Sequence, residues 1–64
     1  MSYIKRMMTE YKELLEKCGS LEAFIGGETF KELSETKQEL MKEQLIAMDT
    51  YAHIVLSRIN LEEE

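Results

Sequence analysis

The stretch Ile4–Gly27, IKRMMTEYKELLEKCGSLEAFIGG, decides how the chain folds. Its apolar positions Ile4, Met7, Tyr11, Leu14, Cys18, Leu21 and Ile25 advance by alternating steps of 3 and 4 residues. At about 3.6 residues per turn, such positions share one side of an α-helix. Gly26-Gly27 is a strong stop signal, because glycine is common just past a helix C-terminus. Ser2 is the expected N-cap. Gly19 weakens the middle by about 1 kcal/mol relative to alanine. The stripe passes through it in phase, so one helix is expected over about 3–25. Any bend belongs at Gly19, with Ser20 as a local cap if the helix breaks there.

Outward from the glycines, the connection runs over about 26–34, and Phe30 and Leu33 are expected to close the end of the core. Ser34 has the chemistry of the next N-cap, and Glu35 suits the first turn of a helix. The second helix is expected over about 35–60. Leu61 to Glu64 are expected to fray, because carboxylates oppose the dipole at a helix C-terminus. Two helices joined by a short connection make an antiparallel hairpin. The whole chain, 1–64, therefore reads as one all-α domain.

The second helix carries more apolar surface than one neighbour can cover. One stripe is Met41, Leu45, Met48, Ala52, Val55 and Ile59. A second, adjacent stripe is Leu40, Gln44, Ala47, Tyr51, Ile54, Arg58 and Leu61, flanked by Ile46 and Leu56. The first helix can bury only one of them, so the other would stay exposed. A chain of 64 residues buries only about 60% of the surface its unfolded form exposes. Small folds usually add a disulfide, a metal or a partner. With Cys18 the only cysteine and one histidine, His53, an internal disulfide is impossible and a zinc set is short of ligands. Homo-oligomerisation into a helical bundle is the remaining source of burial. The unpaired thiol fits a reducing compartment, and Cys18 itself reads as a small core residue.

The net charge is −5, which opposes nucleic-acid binding by phosphate neutralisation. No apolar run reaches the roughly 18 residues of a membrane span, and the opening residues lack the apolar core of a signal peptide. The expectation is a soluble protein without membrane or nucleic-acid partners. No nucleophile–base pair, metal motif or phosphate loop is present, so neither an enzyme nor a cofactor is expected.

Gln44, Tyr51 and Arg58 recur at intervals of seven on the second stripe. Polar groups on such a seam can fix register between chains. They also fit a ligand pocket, which is mostly apolar with a few convergent polar groups. An amide reads a base edge, a phenol stacks on a ring, and a guanidinium forks onto phosphate. The hairpin also brings both arginines, Arg6 and Arg58, to the end away from the loop, with Lys5 and Tyr3. Cations gathered on an acidic protein make a candidate anion site.

The segments YIKRMMTEYKELLEKCGSLEAFI, FKELSE and LMKEQLIAMDTYAHIVLSRI resemble a family of very small helical proteins of crAss-like and other phages. The resemblance spans nearly the whole chain. It is carried by Tyr3, Arg6, Met7, Leu21, Phe24, Phe30, Leu33, Met41, Gln44, Met48, Tyr51, Leu56, Arg58 and Ile59. Gly19 and Lys37 depart from the pattern. The hairpin is also similar to phage sponge proteins of the anti-CBASS and anti-Thoeris kind. Those assemble into symmetric oligomers and withhold nucleotide messengers from host immunity. The likeness implies a homo-oligomer in the cytoplasm of an infected bacterium. It would sequester a cyclic oligonucleotide or an ADP-ribose-type signal. Tyr3, Tyr11 and Tyr51 would be stacking or edge contacts, Arg6 and Arg58 phosphate contacts, and Gln44 a base reader. A protein–protein inhibitor of a host defence enzyme and a plain structural oligomer are the alternatives.

Overall fold

A computed structural model describes the backbone of residues 2–63 and the side chains of 3–62. The capping role of Ser2 lies outside the described side chains. The described residues form three helices and no strand: α1 (Ser2–Ile25), the single turn α2 (Glu28–Lys31) and α3 (Glu35–Glu63). Tyr3 on α1 meets Glu62 on α3, and Glu10 meets Tyr51, so the two long helices lie side by side and antiparallel.

The stripes meet as their spacing predicts. All seven positions on the α1 stripe are buried or half-buried, and so are all six on the first α3 stripe. The core is Met7, Leu14, Ala52, Val55 and Ile59, with Tyr11 packed against it. Val55 is fully enclosed at 0% exposure. Phe30 is buried at the loop end, where its ring meets Phe24 edge-on, at 6.5 Å and 88°. Cys18 is buried as well. Burial pushes its thiol up from the ordinary value. A hydrogen bond to Asp49 and the charges of Asp49 and Glu22 push it further. The thiol is therefore protonated at neutral pH and has the character of a core group rather than a nucleophile.

Four local features bear on the sequence expectations. First, α1 is a single helix through Gly19, with no break there for Ser20 to cap. A methyl group at Gly19 would meet nothing within 4 Å. Gly19→Ala should therefore stabilise the fold by roughly 0.5–1 kcal/mol through helix propensity alone. Thermal denaturation followed by circular dichroism checks this: an unchanged or lower midpoint would point to a kink that the glycine serves.

Second, the two glycines end α1 without a left-handed residue, since no glycine has positive φ. Gly26 N–H still bonds Glu22 O and Gly27 N–H bonds Phe24 O, each at 3.0 Å. The chain then turns out through Gly27, whose backbone is extended. Third, the connection is not featureless. It forms the turn α2, and a side chain of α3 bonds one carbonyl of that turn and one just beyond it. Gln38 Nε2 donates to Phe30 O and Leu33 O, both at 3.0 Å. Ser34 Oγ accepts from Lys37 N–H at 3.3 Å and caps α3.

Fourth, α3 does not stop at Asn60 but continues to Glu63. The dipole argument considers only the helix itself. Here Tyr3 of α1 donates a hydrogen bond to Glu62 and ties the last turn down from outside. That bond, some loss of water and the nearby carboxylate charge together raise the Tyr3 phenol above its usual value.

The hairpin is a thin rod of 46 × 14 × 13 Å. Its radius of gyration is 14.7 Å, against about 11 Å for a compact chain of this length. Its accessible surface is 5038 Å², against about 4250 Å² for a compact monomer of this mass.

Candidate functional site

Direction decides which residues share a face. In antiparallel helices, one step back from the core stripe on each turns toward the same broad side of the hairpin. On α1 those positions are Tyr3, Arg6, Glu10, Glu13, Lys17, Ser20 and Phe24. On α3 they are Leu40, Gln44, Ala47, Tyr51, Ile54 and Arg58. The hydrogen bond from the Tyr51 hydroxyl to Glu10 Oε2 joins the two rows. Five of the six residues singled out from sequence, Tyr3, Arg6, Gln44, Tyr51 and Arg58, therefore belong to one face. The sixth, Tyr11, lies on the core stripe and is half-buried.

Two hollows adjoin along this face. The hollow nearer the open end has a volume of about 540 Å³ and is lined by Lys5, Arg6, Thr9, Glu10, Glu13, Leu14, Lys17 and Tyr51. Three cations thus surround it, with two carboxylates on its walls. The hollow nearer the loop has a volume of about 590 Å³. It is mostly apolar, with Leu21, Phe24, Met41 and Met48 as walls and Gln44, Ser20 and Glu16 at its edges. Glu13 and Lys17 line both hollows, so the two form one groove. These two residues have the spacing of an ordinary helix ion pair. The one salt bridge among the described residues nevertheless joins Lys31 and Glu28, at 3.5 Å.

The free groove is partly engaged with itself. Tyr51 donates to Glu10 and Tyr3 donates to Glu62, so both phenols are held by carboxylates. Gln44 is almost unengaged, its Nε2 making only a weak 3.9 Å contact with Met48 Sδ. Arg58 lines neither hollow, though it lies on the same row two turns beyond Tyr51. His53 is on the other side, with its Nδ1 2.8 Å from Asp49 O. Sequence reasoning missed Phe24 and Lys17. Both sit one step off the core stripe, where each looks like an ordinary exposed residue until the second helix is in place.

The uncovered apolar surface also divides differently from the expectation. Ile46 and Leu56 do not flank the polar row. They lie one step forward of the core stripe, on the opposite face, with Met8 and Leu15. On the groove face Leu40, Tyr51 and Ile54 are 60%, 45% and 54% exposed. On the opposite face Ile46, Met8 and Leu15 are 66%, 50% and 48% exposed.

No group of metal-ligating side chains occurs among the described residues. No described helix is long and apolar enough to cross a membrane. A sequence model of the family described as Sequestin matches residues 1–61. A 7.5 kDa protein from the denB–rIIB intergenic region of Enterobacteria phage T4 is 34% identical over 59 residues. The alignment covers 92% of each chain. No solved structure matches.

Proposed function

The chain belongs to the Sequestin family, and on that premise we propose that it is a phage-encoded protein that captures a small nucleotide signal and withholds it from a host defence effector. The family's name points to sequestration. The observation that carries the ligand class is the groove, whose cationic and apolar hollows share Glu13 and Lys17. A nucleotide has the same division between an anionic part and an aromatic part. Capture is stoichiometric and needs no catalyst.

Arg6, with Lys5 and Lys17, takes phosphate; Tyr51 offers a ring and a hydroxyl; Gln44 reads a base edge. Tyr3, Tyr11 and Arg58 contribute where the ligand extends toward the open end or where a second chain brings them to it. A homo-oligomer accompanies this reading. The excess surface of about 800 Å² over a compact monomer equals one partner's share of an ordinary interface.

Arg6→Gln tests the assignment. Losing one charge-assisted hydrogen bond is worth roughly 1.5–3 kcal/mol, or about one to two decades in affinity. Isothermal titration with ADP-ribose and cyclic di-AMP should show that loss, with the assembly intact by sedimentation. Arg6→Lys should restore only part of it, because lysine lacks the planar fork. A variant that binds as wild type places phosphate elsewhere. A variant that falls apart makes Arg6 a structural ion-pair partner between chains.

A further inference from the structure

We infer that the loop-end hollow is a base subsite for adenine, with Phe24 as the stacking face and Gln44 as the edge reader. The inference rests on the nucleotide-capture reading and adds a place and a chemistry for the base.

Side chains in a helix tilt toward its N-terminus. On α1 this turns Phe24 away from the loop. On α3 it turns Gln44 toward the loop. The two therefore converge from opposite ends on the same hollow, which both of them line. Leu21, Met41 and Met48 form the remaining apolar wall. Phe24 is 37% exposed, yet its ring is steadied by the buried Phe30 ring packed against it at 88°. An aromatic ring fixed on one side and open on the other is a stacking platform. Thioether side chains suit the rest of the wall, because they adapt to a flat aromatic ligand.

Gln44 supplies the discrimination. A glutamine amide pairs with the N6 and N7 positions of adenine through one donor and one acceptor. Its present contact, 3.9 Å from Met48 Sδ, is weak enough to give up. Lys17, on the shared rim, meets whatever leaves the base in the direction of Arg6 and Lys5. Base, linker and phosphate thus follow the groove in the order of its chemistry.

The test uses Phe24→Leu, which keeps an apolar side chain and removes the π-face. Isothermal titration would compare ADP-ribose and cyclic di-AMP with ribose 5-phosphate, which lacks the base. The variant should bind the two adenine ligands roughly 5- to 150-fold more weakly, the range for one lost base–aromatic stack. Its affinity for ribose 5-phosphate should be unchanged, and Phe24→Tyr should retain wild-type binding. Unchanged adenine binding by Phe24→Leu overturns the subsite. So does a parallel loss of ribose 5-phosphate, which would make Phe24 a shaper of the groove. A wild-type protein that binds neither adenine ligand overturns the capture reading itself, and the subsite with it.

Discussion

Leu14→Ala should cost the protein about 2–5 kcal/mol, the range for truncating a core leucine. Leu14 is 8% exposed and belongs to the small cluster that holds α1 to α3. A chain of this length has a total stability of only about 3–10 kcal/mol. The change therefore removes a fifth or more of it, and the cavity has few neighbours able to collapse into it. The melting midpoint should fall by at least about 8 °C. Lys12→Ala, exposed and off the stripe, should stay within about 0.5 kcal/mol. Urea unfolding of the two variants at one protein concentration makes the comparison. Equal effects would mean that the helices meet in a different register.

Ile54→Glu should break self-association while leaving the isolated hairpin close to its original stability. Ile54 is 54% exposed in the single chain, so a carboxylate there stays in water. Between chains the same carboxylate would lose its water without a partner, at a cost of several kcal/mol. Sedimentation should find the wild type associated at micromolar concentration and the variant monomeric. Far-ultraviolet circular dichroism should show the helices retained in the variant. A wild type that is a stable monomer would remove the reason for this prediction. A variant that assembles normally would assign the interface to the opposite face, around Met8, Leu15 and Ile46.

The hairpin was legible because each helix announces its own buried side. The alternating steps of 3 and 4 from Ile4 to Ile25 and from Met41 to Ile59 locate the core without reference to anything distant. What depends on the other helix was not legible. The stop of α3 after Asn60 followed from local dipole reasoning, and a phenol on the first helix overrules it. Adjacency on one helix groups Ile46 and Leu56 with the polar row, but it says nothing about the broad faces of the pair. The same blindness hid Phe24 and Lys17, which become groove residues only when α3 lies beside α1. The polar row itself was readable, since Gln44, Tyr51 and Arg58 differ in kind from their neighbours at a fixed interval. Its division into residues that line the hollows and one that does not required the shape of the groove.

Native mass spectrometry of the wild-type protein with ADP-ribose, cyclic di-AMP and a cyclic trinucleotide decides whether the oligomer captures a nucleotide. It reports the number of chains and the mass of any bound ligand in one spectrum. The expected result is an oligomer that retains at least one of these nucleotides, released unchanged when the protein is denatured. A protein that stays ligand-free across all three, at concentrations that saturate a micromolar site, would contradict it.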